Sequence, residues 1–302
     1  MKILVASSSP LAKNLLNHIK SSDHQLLGGI SSPDRASGRG QSVSSNEFAS
    51  YCQEIGVTCY KPSTNEELAG ILQKTHVELV ITLAYGRLIK TNELQIPKHG
   101  WLNVHFSLLP RWRGAAPVQR AIAAGDEQSG VTVFKLEQGL DTGPIYSTLS
   151  YPLNDRSRSD EVLKDLSSLC IQPVNQALIM IAAGEPASTQ ETEGVTLAPK
   201  ILKSEGRIDW NRDSKLLDRQ IRAFQPWPGA YTSFNGTRIE IIEARVSDAD
   251  GAVGEVISLN PLLIGTGSGS LEIIRVKPEN KREMSSSDWL RGARITLPCA
   301  FE

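Results

Sequence analysis

The sequence predicts an α/β protein: a doubly wound, mostly parallel sheet, followed by a separate small C-terminal β-barrel of the OB type. Two observations carry that expectation. Through the first two thirds of the chain, short apolar runs alternate with amphipathic stretches, the pattern that builds a parallel sheet with helices on both faces. Beyond Arg207 the character changes to short β-rich runs divided by Asn-Gly, Asp-Gly and Gly-Ser-Gly turns, as in a small all-β domain. A length of 302 residues suits two domains, because single hydrophobic cores seldom grow much larger than a few hundred residues.

Taken in order, Ile3-Leu4-Val5-Ala6 predicts a buried strand, and Ala12, Leu15, Leu16 and Ile19 follow at helical spacing. A second strand is expected over 26–30, a helix over 47–55 and a strand over 57–60. Leu68, Ile71 and Leu72 mark another helix, and 77–83 is the most apolar strand of the set. Trp101-Leu102-Asn103-Val104 and 131–136 read as further strands. One long helix is expected from Ser159 to Ala183, stopped by Gly184-Glu185-Pro186, a glycine-then-proline ending. The polar stretch 187–193 lacks periodicity and opens a linker, giving expected domains of 1–190 and 207–302 joined by 191–206. The five barrel strands are placed at 230–234, 238–244, 254–258, 263–265 and 271–276.

Composition narrows the function classes. Lys and Arg number 32 against 33 Asp and Glu, a formal charge of −1, so contact with nucleic acid would need a local basic patch. Cys52, Cys59, Cys170 and Cys299 lie far apart and never form C-x-x-C, which disfavours a disulfide framework or a zinc site and fits a reducing cytoplasm. The N-terminal apolar run breaks at Ser7-Ser8-Ser9-Pro10, too short for a signal peptide. No segment is read as approaching the ~20 apolar residues that cross a bilayer. The same Ser7–Pro10 turn contains no glycine, whereas a dinucleotide fold needs G-x-G-x-x-G there to bring backbone onto a pyrophosphate. A nicotinamide enzyme is disfavoured.

In doubly wound sheets ligands sit beyond the carboxyl ends of the strands, which directs attention to 31–40, 84–87 and 105–114. Asn103 and His105 stand two apart at a strand end, so both side chains project to one side. An amide donor beside an imidazole suits acyl transfer, where negative charge gathers on a carbonyl oxygen and a proton must move near neutral pH. Asp141, in the glycine-flanked turn Gly139-Leu140-Asp141-Thr142-Gly143, is a carboxylate that would hold the imidazole and favour its charged form.

The run 103–117, followed by Leu140-Asp141-Thr142-Gly143, resembles the signature of the folate-dependent formyltransferases. That resemblance implies a formyltransferase-type, Rossmann-like catalytic domain with Asn103, His105 and Asp141 as its catalytic trio. It implies 10-formyltetrahydrofolate as co-substrate and no metal. Ser107, Leu108, Leu109 and Pro110 would line the folate site, with Ala84, Tyr85, Gly86 and Gln138, Gly139, Leu140 flanking the pterin. Asn103 and His105 would stabilise the oxyanion while Asp141 orients His105 and shuttles the proton.

Three segments, 32–40, 107–117 and the pair 207–210 with 221–228, resemble the branch of the family that acts on methionyl initiator tRNA. Arg35 and Arg39 match its basic loop; Lys200, Lys203 and Arg207, along the linker, add candidate tRNA contacts. A monomeric cytoplasmic enzyme is the expectation. The competing acceptor is a nucleotide-sugar amine; a non-catalytic RNA-binding protein and a formyl-folate hydrolase account for fewer of these residues. Two departures stand out: Phe106 occupies a position where many members have glycine, and the Ser7–Pro10 turn lacks the usual glycine-threonine start.

Overall fold

The computed structural model describes residues 1–37 and 42–302. They divide into two compact units, Met1–Pro117 with Gln128–Pro152 and Leu163–Ala198, and Val118–Glu127 with Leu153–Val162 and Pro199–Glu302.

The elements of the first two thirds are β1 (Lys2–Ala6), α1 (Lys13–Ser21), β2 (Gln25–Ile30), β3 (Arg35–Ser37), β4 (Ser42–Ser44), α2 (Glu47–Glu54), β5 (Cys59–Tyr60), α3 (Asn65–Thr75) and β6 (Leu79–Thr82). They continue with α4 (Thr91–Gln95), β7 (Trp101–His105), β8 (Arg113–Gly114), α5 (Pro117–Ala124), β9 (Gln128–Lys135), β10 (Ile145–Pro152), α6 (Ser159–Leu169), α7 (Ile171–Ala183) and β11 (Leu197–Ala198). Seven strands form one sheet in the order β10-β9-β7-β6-β1-β2-β5. β1, β2, β5, β6 and β7 run parallel, while β9 is antiparallel to β7 and β10 to β9.

Both faces of this sheet are covered. Leu4, Ala6 and Val80 pack with Leu68 and Leu72 of α3 and with Trp101. Ile3 and Val5 point to the opposite face and are equally buried; α1 packs against β1 and β2, and α7 against β9 and β10. Burial on both faces is why these strands read as unbroken apolar runs.

The long helix expected from Ser159 to Ala183 is two helices, α6 and α7, parted at Cys170. Pro173 explains the break. It has no N–H for the Leu169 carbonyl four residues earlier, and its ring crowds that carbonyl. The ending is as expected, with Gly184 left-handed at φ 73. The reading that no segment approaches bilayer length is corrected, since Ser159–Ala183 has the length and composition to cross a membrane. Its apolar stripe, Val162, Leu166, Val174, Ala177, Leu178 and Ile181, is instead buried within the protein.

The second unit holds α8 (Ser214–Ala223), β12 (Ala230–Phe234), β13 (Thr237–Ser247), β14 (Val256–Leu259), β15 (Leu262–Gly265), β16 (Ser270–Pro278), β17 (Met284–Ser285) and α9 (Ser286–Ala293). The sheet is antiparallel, in the order β12-β13-β16-β15-β14, with β17 on β16. Asn235 and Gly236, at φ 49 and 71, make the β12–β13 turn; two left-handed residues give the tight hairpin that Asn-Gly announces. Phe301 centres the core, with ring centroids 4.9 Å from Phe234, 5.9 Å from Trp289 and 6.0 Å from Trp210. All five strands placed from the sequence are present. They form an open sheet, not a barrel closed by strand pairing, because β12 and β14 lie at opposite edges and share no ladder.

Candidate active site

The sheet's register builds the site. β7 ends at His105, with Asn103 beside Thr82 of β6 and opposite Phe134 of β9, and His105 opposite Thr132. Alternation along β7 then sends the Asn103 and His105 side chains to one face. The Thr82 hydroxyl donates to the Asn103 amide oxygen at 2.7 Å, which leaves the amide N–H₂ as the end free to donate. His105 is 5% exposed, and the edge of its ring meets Phe134 with centroids 6.3 Å apart.

A carbonyl decides the state of His105. Its Nε2 lies 2.8 Å from the Trp112 carbonyl oxygen, which only accepts, so Nε2 carries the proton. Nδ1 faces Asp141, whose Oδ2 is 3.7 Å away. Burial pushes the imidazole below its usual 6.5, against the opposing pulls of the Asp141 carboxylate and the Trp112 carbonyl. At neutral pH the ring is therefore uncharged, with a lone pair on Nδ1.

Asp141 arrives on the turn between β9 and β10. Its Oδ2 accepts the Gly114 N–H at 2.8 Å. Gly114 has φ 127, and a Cβ there would meet the Ala198 carbonyl oxygen at 2.6 Å, so only glycine allows β8 to pair with β11 while its N–H faces the carboxylate. Asp141 itself is left-handed, at φ 51.

The expected folate residues divide into scaffold and surface. Ser107 and Leu109 are buried; the Ser107 hydroxyl donates to the Arg111 carbonyl at 2.7 Å and the Leu109 N–H to Thr132 at 3.1 Å. Leu108 packs over Gly130, and the Leu109–Pro110 bond is cis. These four residues set the shape of the turn. Ala84, Gly86, Gln138, Gly139 and Leu140 are exposed, while Tyr85 is buried. Ala84 and Gly86 are left-handed at φ 50 and 71, and a Cβ on Gly86 would meet open space. Leu88 and Leu140, 79% and 61% exposed, stand on two loops tied together by a Gln138–Thr91 hydrogen bond. Open backbone flanked by exposed leucines fits a flat heterocycle with hydrogen-bonding edges.

Arg35, on β3, is exposed and pairs in register with Ser44; Arg39 lies outside the described residues. Lys200, Lys203 and Arg207 are exposed on the second unit. Phe106, the bulky departure, is buried. Among the described residues no group of three or more His, Cys, Asp or Glu is placed to hold a metal.

Several site residues escaped the sequence. Thr82, Trp112 and Gly114 carry no motif of their own. The stretch 187–193, read as the polar opening of a linker, holds the buried Gln190, whose amide bonds the backbone carbonyls of Asp141 and Gly143. Thr196 beyond it accepts the Trp112 N–H at 2.9 Å. A lone buried-type glutamine in a polar run gives no periodic signal.

The Formyl transferase family profile matches residues 1–169, and that of the Formyl transferase C-terminal domain matches 200–294. Over 300 residues the chain is 36% identical to the methionyl-tRNA formyltransferase of Rhodococcus erythropolis, covering 98% of each. HypX from Aquifex aeolicus in complex with tetrahydrofolic acid superposes with a TM-score of 0.67 at 17% identity, over 96% of this chain and 46% of that one. The N-formyltransferase from Helicobacter canadensis, in complex with folinic acid and dTDP-3-aminofucose, gives 0.64 at 17% identity, over 94% and 100%. These two likenesses establish the fold. With a profile spanning more than half its residues and a relative 36% identical along almost its whole length, the chain belongs to the formyl transferase family.

Proposed function

We propose that this enzyme transfers a formyl group from 10-formyltetrahydrofolate to the free amino group of methionyl initiator tRNA, giving N-formylmethionyl-tRNA. The carrying observation is the full-length identity with a methionyl-tRNA formyltransferase, joined to an imidazole whose unprotonated nitrogen faces a carboxylate. The folate, when bound, supplies an electrophilic formyl carbon.

Asn103 directs its amide N–H₂ at the carbonyl oxygen and stabilises the charge that develops there. His105, neutral and with Nε2–H held by Trp112, accepts the attacking amine's proton on Nδ1. The resulting imidazolium is stabilised across 3.7 Å by Asp141 and returns the proton to the departing folate nitrogen. This refines the expectation that His105 acts first as an oxyanion donor: with Nε2–H committed elsewhere, Nδ1 donates only after it has taken a proton. The set Ser107, Leu108, Leu109, Pro110, Ala84, Tyr85, Gly86, Gln138, Gly139 and Leu140 shapes and lines the folate site in this reading, and Arg35, Arg39, Lys200, Lys203 and Arg207 meet tRNA phosphates.

We also read the chain as a monomeric cytoplasmic enzyme with a catalytic domain over 1–190 and a tRNA-binding domain over 207–302. The latter is an OB-type barrel closed by its last residues in place of a β12–β14 ladder. Hydrogen bonds from Val256 N–H to the Cys299 carbonyl, from Phe301 N–H to that of Gly254 and from Glu302 N–H to that of Ser233 support this, at 3.0, 2.8 and 2.9 Å.

Formylation of a panel of charged tRNAs at stated salt tests the function. Methionyl initiator tRNA should be the preferred acceptor, and His105→Ala should slow turnover by about 10²- to 10⁴-fold. Near-normal turnover by His105→Ala would overturn the mechanism. A preference for a nucleotide-sugar amine would overturn the acceptor.

A further inference from the structure

Gln190 has no regular secondary structure around it, yet its side chain is 7% exposed within a run of exposed polar residues. Every hydrogen-bonding position of its amide is used. Nε2 donates to the Asp141 carbonyl and to the Gly143 carbonyl, each at 2.8 Å. Oε1 accepts from Nε and Nη2 of Arg113, at 3.1 and 2.6 Å. Two donors and two lone pairs are all that a carboxamide has.

The groups it holds are the two supports of one carboxylate. Asp141 sits at φ 51, a conformation that a residue with a Cβ keeps only where its surroundings enforce it. The Gln190 N–H groups grip that backbone on either side of Thr142. Arg113 immediately precedes Gly114, whose N–H holds Asp141 Oδ2 at 2.8 Å. One amide therefore braces both the backbone of Asp141 and the strand that supplies the donor to its side chain. Releasing it would let Asp141 relax toward negative φ and carry Oδ2 away from His105 Nδ1.

We propose that Gln190 is a positioning residue that holds the Asp141 carboxylate in its working place. The proposal rests on the role given to Asp141 above. Its test is a double-mutant cycle on kcat and KM, using methionyl-tRNA and 10-formyltetrahydrofolate, with wild type, Gln190→Ala, Asp141→Asn and the double variant.

Gln190→Ala should lower kcat by about 10- to 100-fold while KM for either substrate moves less than about 3-fold, the pattern of a lost transition-state arrangement. In the Asp141→Asn background the same change should cost less than about 2-fold, because residues acting as a unit are not additive. Losses that multiply, or a loss confined to KM, would sink the proposal. Full activity in Asp141→Asn alone would instead remove the role of Asp141.

Where the alanine protein does not fold, Gln190→Glu serves. It keeps length and the Arg113 partner but has no N–H₂ to donate. A Gln190→Glu enzyme with native melting behaviour and wild-type kcat would overturn the proposal; folded protein with depressed kcat supports it.

Discussion

His105 works because two opposing influences leave it neutral at the pH of translation. Burial dominates and lowers its affinity for a proton; the Asp141 carboxylate and the Trp112 carbonyl raise it. The folded protein therefore binds less proton at this site than the unfolded chain as pH drops below 6.5. Stability from this group is complete above that value and is lost as pH falls through the folded pKa. Asp141→Asn removes a charge that favours the imidazolium, so the folded value should fall further. Following the His105 ring proton by NMR should give a midpoint below 6.5 in the wild type and a lower one in Asp141→Asn. A wild-type midpoint above the ordinary histidine value would show that burial is not the dominant influence. The pair Asn103 and His105 was legible in the sequence, because strand alternation puts residues two apart on one face. Their partners were not: Thr82 is 21 positions from Asn103 and reaches it only through the β6–β7 register.

At the scale of elements, strands buried on both faces were the most readable, and β1, β2, β6 and β7 fall where the apolar runs place them. β10 went unread because its face alternates between exposed and half-buried residues, leaving no apolar run. β8 and β11 are two residues each, below any periodic signal. The split of the expected long helix turned on one residue, Pro173, which sits close enough to a helix start to be tolerated there. Capping gives a testable case. Asn46 caps α2, its side-chain oxygen accepting the Ala49 N–H at 3.0 Å, and its amide also bonds Ser31 at 2.9 Å. Lys61 bonds Asp34 and Ser45 nearby. The feet of the loop that carries Arg35 and Arg39 are thus clamped twice. Asn46→Ala should destabilise the protein by about 0.5–2 kcal/mol, the range for a lost cap, read as a lower urea midpoint with unchanged slope. No shift in midpoint would mean that this cap does not help to hold α2.

Over the whole molecule charge is almost balanced, 32 basic against 33 acidic side chains. Long-range attraction by net charge cannot bring in a polyanion, so affinity for tRNA must come from where the basic side chains stand. Each phosphate neutralised releases counterions and steepens the dependence of binding on salt. Arg35 is exposed on β3, free to make one such contact, and Arg39 follows in the same loop. Measured as KM for methionyl-tRNA across a potassium chloride series, the combined change Arg35→Ala and Arg39→Ala should reduce the log–log slope by about 1.4–1.8, at ~0.7–0.9 per phosphate. KM for the folate should stay constant, since Ala84–Gly86 and Leu140 belong to other loops. Replacing Lys200, Lys203 and Arg207, which lie in the other compact unit, should lower the slope independently, because distant sites add. A slope indifferent to both sets would leave no electrostatic footprint for tRNA, and an acceptor as small as a nucleotide-sugar amine would then be the better account of the same catalytic trio.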